Sequence, residues 1–184
     1  MRILMLGNSF TSTNHLPERL AQLTRAEVTA HTRGGARLAE QLNPGTRMGA
    51  RTQAALRDGH WDYVILQEMS NGPITAKAKF LDSVRRLSAL IREHGAEPVL
   101  YATWAYENEE RLVALGLTRA EMHRQLQESF REAAAENQLL TANVGTCFAA
   151  YTGPEPLYAA DGVHPSPFGT ELAAQALADA LRQG

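Results

Sequence analysis

The feature that most constrains the fold of this chain is an alternation of short apolar runs and longer amphipathic segments along nearly all of its 184 residues. Arg2 to Leu6 is a brief apolar run stopped by Gly7, the pattern of a buried strand. Leu16 to Arg25 reads as helix, and Glu27 to His31 as a second strand stopped by Arg33-Gly34-Gly35. Gly49 to Leu56 reads as a helix ending near Gly59. Trp61 to Gln67 is the clearest strand, rich in β-branched and aromatic residues. Thr75 to His94 is a long helix in which Phe80, Val84, Leu87 and Ile91 recur on one face, and Gly95 ends it. Pro98 to Thr103 is a fourth strand. Arg119 to Asn137 is a helix with Met122, Leu126, Phe130 and Ala134 on one face. Leu139 to Ala142 is a fifth strand, and Pro167 to Leu181 the last helix, with Ser166 as its N-cap.

Strands separated by helices imply βαβ units, and these imply a parallel sheet covered on both faces. The expected fold is a three-layer α/β/α domain over residues 1–184, with a doubly wound, flavodoxin-like parallel sheet of five strands. In such sheets ligands bind beyond the carboxyl ends of the strands. Hydrophobic residues at 44% and charged residues at 21% fit a folding chain of this kind. The 18 basic and 20 acidic residues are scattered, so no nucleic-acid footprint emerges, and a small uncharged or polar substrate is expected. The apolar N-terminal run is too short for a membrane span or a signal-peptide core, so the expected location is cytoplasmic, without membrane attachment.

Four clusters lie at strand ends or before the last helix: Gly7-Asn8-Ser9-Phe10-Thr11, Gly34-Gly35, Gln67 to Gly72, and Asp161-Gly162-Val163-His164. Ester hydrolysis needs an activated hydroxyl, a base, a group that orients the base, and donors for the oxyanion. The first three clusters offer a nucleophile and donors. The last offers a carboxylate and an imidazole from one short loop, with Pro165 holding His164 out of the helical region. Plainer readings exist for each. Ser9 can cap a helix, Asp161-Gly162 and Asn71-Gly72-Pro73 are turn signals, and Gly34-Gly35 can be a tight turn. A capping role for Ser9 leaves the distant Asp-x-x-His unexplained.

The order GNSFT, a glycine after the second strand, an Asn-containing turn after the third, and DGVHPS near the end resembles the SGNH (GDSL-type) hydrolase family over essentially the whole chain. The resemblance implies Ser9 as nucleophile, His164 as base and Asp161 as the group that orients it. It implies an oxyanion hole from the N–H groups of Ser9 and Gly35 and the side-chain amide of Asn71. Two positions depart from the family pattern. The usual first-block Asp is Asn8, and the third block reads Met69-Ser70-Asn71-Gly72 where Gly-x-Asn-Asp is usual. Gln67 is a second amide at the same strand end, so the donor is Asn71 or Gln67.

No His, Cys or carboxylate grouping has metal-ligand spacing, so neither metal nor cofactor is expected. Cys147, in the apolar stretch Val144 to Tyr151, reads as a buried small hydrophobe. Trp104, Tyr106 and Tyr158 are candidates to shape the substrate pocket, Trp104 and Tyr158 foremost. The expected activity is hydrolysis of carboxylic esters, with short acyl groups on carbohydrate or other polar alcohols favoured. A thioesterase or lysophospholipase would use the same residues. A flavodoxin-like phosphate- or nucleotide-binding module is the alternative of another class, and a catalytically dead relative acting as an interaction domain is a third. Oligomeric state is not legible.

Overall fold

A computed structural model describes residues 1–183. The chain runs β1 (Arg2–Gly7), α1 (Ser9–Ser12), a 3₁₀ turn (Thr13–His15), α2 (Leu16–Thr24), β2 (Glu27–Thr32), α3 (Leu38–Leu42), α4 (Arg47–Asp58) and β3 (Tyr63–Leu66). It continues with α5 (Gly72–Thr75), α6 (Lys77–Glu93), β4 (Glu97–Tyr101), α7 (Glu109–Leu115), α8 (Arg119–Asn137), β5 (Leu140–Ala142), α9 (Val144–Ala150) and α10 (Pro167–Leu181). All four strand pairings are parallel, in the order β2-β1-β3-β4-β5. This is the doubly wound α/β/α architecture expected from the alternation.

The strand order explains where chemistry can sit. From β1 the chain moves outward to β2, then crosses back to pair β3 with the other side of β1. Helices after these two strands diverge, which opens a crevice at the carboxyl ends of β1 and β3. The inner strands are almost wholly buried, whereas the edge strand β2 keeps only His31 buried. That difference is why β1, β3 and β4 read as continuous apolar runs.

The long helices follow the sequence periodicity. Phe80, Val84, Leu87 and Ile91 of α6 are buried, and Phe80 meets Phe130 of α8 edge-on at 5.5 Å. Ser166 caps α10 by accepting the Gly169 N–H, with Pro167 at the first helical position. On α8 the fourth expected residue, Ala134, is only partly buried, and Ala133 turns inward instead. The chain breaks at Ala76, so the helix expected from Thr75 begins at Lys77 as α6, and the separate short helix α5 precedes it. Helix α4 starts two residues early because Thr46 caps it, accepting the Gly49 N–H. The short helices α1, α3, α7 and α9 were not expected, since they are too brief to show a period. Among the described residues no helix is long and apolar enough to cross a membrane.

Phe80→Ala removes the ring on which the α6–α8 contact is built. It should lower unfolding free energy by about 3–5 kcal/mol, read from urea denaturation followed by circular dichroism.

Candidate active site

The chain leaves β1 at Gly7 and enters α1 at once. A Cβ at Gly7 would lie 2.4 Å from Thr11 Oγ1 and 2.6 Å from Gln67 Oε1, so this position requires glycine. Asn8 caps α1, its Oδ1 accepting the Phe10 N–H at 3.1 Å. Ser9 follows as the first helical residue, and its Oγ lies 2.9 Å from Nε2 of His164. His164 Nδ1 is 2.5 Å from Asp161 Oδ2. With the proton on Nδ1 donated to that carboxylate, Nε2 keeps its lone pair for the Ser9 hydroxyl. The structure thus brings together three residues that stand at opposite ends of the chain.

The Asp161 carboxylate is held by its own loop. Its Oδ1 accepts the N–H groups of Val163 at 3.0 Å and His164 at 2.9 Å. Burial pushes its carboxyl up, but the His164 hydrogen bond, the two backbone donors and the His164 charge outweigh it and leave the pKa at about 2. Asp161 is therefore an anion throughout the ordinary pH range.

The loop itself is latched from several sides. Glu107 and Asn108 donate their N–H groups to Gly162 O at 2.8 and 3.0 Å, and Asn108 Nδ2 donates to Asp161 O at 3.0 Å. Trp104 Nε1 donates to Val163 O at 3.0 Å, and Ala159 N–H to His164 O at 2.9 Å. Gly162 has φ +63°, and a Cβ there would lie 2.8 Å from Asn108 N, so the close approach of the two loops depends on glycine.

The candidate oxyanion donors occupy the neighbouring strand ends. Gly35, at φ +66°, sits in an exposed turn closed by Ala36 N–H donating to Arg33 O. Among the described residues the N–H groups of Ser9 and Gly35 donate to no protein acceptor. Asn71 precedes α5 without capping it; its Oδ1 accepts from Thr75 Oγ1 at 3.5 Å, and its Nδ2 donates no hydrogen bond among the described residues. Gln67 is different. It is buried, its Oε1 accepts from Asn8 N–H at 2.9 Å and Thr11 Oγ1 at 3.0 Å, and its Nε2 donates to Glu68 O.

Comparison with solved structures settles the family. A protein from Slackia heliotrinireducens assigned to the SGNH hydrolases is 52% identical, with a TM-score of 0.95 over 98% of each chain. The chain belongs to the SGNH hydrolase family. A lipase/acylhydrolase from Enterococcus faecalis (17% identity, TM-score 0.70, 100% of this chain and 96% of that one) shares the fold. So does a protein from Agrobacterium tumefaciens assigned as an arylesterase (22% identity, TM-score 0.68, 99% and 98%). No family model and no curated protein matches the sequence.

Within this SGNH hydrolase, several residues have roles that spacing did not reveal. Asn8, where the family usually has Asp, uses its amide to donate to Ala36 O at 3.1 Å and to Glu68 O at 3.4 Å. A carboxylate has no N–H to give and would repel both carbonyls. Asn108 secures the Asp161 loop. Glu68 is 3% exposed, and accepts the Met69 N–H at 2.8 Å and the Leu38 N–H at 3.2 Å. A carboxylate two residues after the apolar strand β3 was the one available signal for it.

The three candidate aromatics are buried rather than open to solvent. Trp104 is 0% exposed and stacked between Phe10 and Phe148. Tyr106 is 3% exposed, its hydroxyl 2.6 Å from Ser70 Oγ. Tyr158 is nearly buried, donating to Ala105 O at 2.7 Å with the Arg119 guanidinium over its ring. Cys147 is half-buried rather than buried, and burial pushes its thiol up. His15 is exposed beside Glu18, not directed to a partner in the site.

Burial raises the Glu68 pKa; its two backbone donors and the Arg37 and Lys79 charges only partly offset this. A raised folded pKa means that the native state binds this proton more tightly than the unfolded chain. Stability therefore falls as pH rises through the ordinary carboxylate range and up to the folded pKa. Glu68→Gln lacks this dependence. The stability of the native protein minus that of Glu68→Gln should decrease as pH rises through and above the ordinary carboxylate range, measured by urea denaturation at each pH.

Proposed function

We propose that this hydrolase is a serine esterase that removes short acyl groups from carbohydrate or other small polar alcohols. The observation that carries the reading is the unbroken chain from Asp161 through both ring nitrogens of His164 to Ser9 Oγ. That arrangement suits a hydroxyl made nucleophilic by an adjacent base whose tautomer a carboxylate holds.

Ser9 Oγ attacks the acyl carbon as its proton passes to His164 Nε2. Negative charge develops on the former carbonyl oxygen. The free N–H groups of Ser9 and Gly35 and the Asn71 amide stabilise it, each such donor contributing about 3–4 kcal/mol. His164 then gives its proton to the departing alcohol oxygen, and an acyl-Ser9 ester remains. Water attacks that ester, losing a proton to His164. Collapse releases the carboxylic acid and returns the proton to Ser9. Asp161 stays ionised throughout and stabilises the imidazolium.

Asn71 is favoured over Gln67 as the third donor because Gln67's amide is already occupied by Glu68 O, whereas Asn71's is free. The strand-end segments carry Gly34, Gly35, Ser70, Asn71 and Asn108, which suits a polar alcohol better than a lipid tail.

A fluorophosphonate probe should label Ser9 alone, read by peptide mass spectrometry, and Ser9→Ala should abolish both labelling and turnover of p-nitrophenyl acetate. Asp161→Asn should lower kcat by about 10⁴-fold in a folded protein. A folded wild-type protein that resists the probe and cleaves neither activated esters nor activated thioesters rejects the reading.

Asn71→Ala should lower kcat by about 10²–10³-fold with KM little changed. Gln67→Ala should instead lower the melting temperature, since it frees Asn8 N–H and Thr11 Oγ1 inside the protein. The reverse pattern, with Gln67→Ala well folded and inactive and Asn71→Ala active, assigns the donor to Gln67.

A further inference from the structure

Trp104 lies between two phenyl rings. Its centroid is 4.6 Å from that of Phe10 with an 11° interplanar angle, and 4.2 Å from that of Phe148 with a 6° angle. Two rings so near and so parallel to one indole would collide if they shared a face, so they cover opposite faces. The Phe10 side is the side of the reacting groups. Phe10 follows Ser9 directly, and its ring meets His164 edge-on at 5.4 Å. On the other side is a cavity of about 600 Å³. Trp104, Ala105, Phe148 and Leu157 give it an apolar wall, and Arg119 and His123 stand among its polar groups. Phe10, Ser9 and His164 do not line it.

The Phe10–Trp104–Phe148 stack, with the indole at its centre, therefore stands between the Ser9–His164 pair and a space of the size that holds a small organic ligand, roughly 300–1,000 Å³. The indole is held in that plane by the two stacks and by the hydrogen bond from Nε1 to Val163 O. We propose that Trp104 is a specificity-determining partition: it confines the acyl group to a few carbons by closing Ser9 off from this cavity, which becomes an acyl channel when the indole is removed. The inference rests on the esterase reading and names the acyl class for the same site. A methylene in an apolar pocket changes transition-state binding by about 1–3 kcal/mol, so several excluded methylenes give a steep chain-length cut-off.

The test is kcat/KM for p-nitrophenyl acetate, butyrate and octanoate with wild-type, Trp104→Leu and Trp104→Phe proteins, each shown to be folded by its melting curve. Wild-type activity should fall by about 100-fold or more from acetate to octanoate. Trp104→Leu should raise the octanoate-to-acetate ratio at least about tenfold. Its absolute acetate rate should fall, because Val163 O loses its donor. Trp104→Phe keeps a ring in the stack and is the milder perturbation should the leucine variant not fold; its ratio should rise about threefold. Adding Ala149→Phe, at another lining residue of the cavity, should return the Trp104→Leu ratio toward wild type. A wild type that cleaves octanoate as well as acetate overturns the inference, as does a folded Trp104 variant whose ratio does not move. A wild type that cleaves acetate while the ratio stays fixed removes the inference alone. A wild type that cleaves no ester removes the esterase reading and the inference with it.

Discussion

The Asn8 side chain holds three strand ends in register. Its Oδ1 caps the helix that begins with Ser9, while its Nδ2 reaches Ala36 O beyond β2 and Glu68 O beyond β3. Parallel strands deliver their carboxyl ends to the same edge, but they do not determine how the loops beyond that edge sit relative to one another. One amide buried among the three loops supplies that geometry. Gln67 and Glu68 extend the network, Gln67 to Asn8 N–H and Thr11, Glu68 to Leu38 and Met69. Polar groups at this depth cost free energy unless paired, so the network has few alternative arrangements once it forms.

The opposite half of the site is built on different physics. The Asp161–His164 loop has no regular secondary structure of its own. Its position comes from donors on the segment after β4: the backbone of Glu107 and Asn108, the Asn108 amide and the Trp104 indole. His164 is therefore referenced to β4 and Ser9 to β1, and the rigid sheet sets the distance between them. The Phe10–Trp104–Phe148 stack ties the two halves together, because Phe10 belongs to the helix that begins with Ser9 and Trp104 holds Val163. Two of these core rings, Trp104 and Phe148, also line the cavity beside Tyr158.

Much of this was legible in the chain. The α6 stripe of Phe80, Val84, Leu87 and Ile91 is buried as its spacing implies, and the apolar runs are the strands. Ser9, Asp161 and His164 stood out because few residue types carry acyl-transfer chemistry and these lie where a doubly wound sheet exposes its ligands. The burial of Trp104 was not legible. A tryptophan just after a strand can line a pocket or fill the core, and here both faces of the indole are covered by rings from residues 10 and 148. Asn8 showed its departure from the family pattern but not its work, since its partners lie 28 and 60 residues away.

The sequence by itself determined the alternation of strands and helices, the resulting parallel sheet, and which residues bring reactive groups to its carboxyl edge. These follow from local periodicity and from side-chain chemistry, both of which are properties of short segments. Only the tertiary structure decided that Gln67's amide is occupied while Asn71's is free, that Glu68 is buried, and that Trp104 is stacked between Phe10 and Phe148. Each of these depends on hydrogen bonds or ring contacts between distant segments, and burial exists only after those segments have packed.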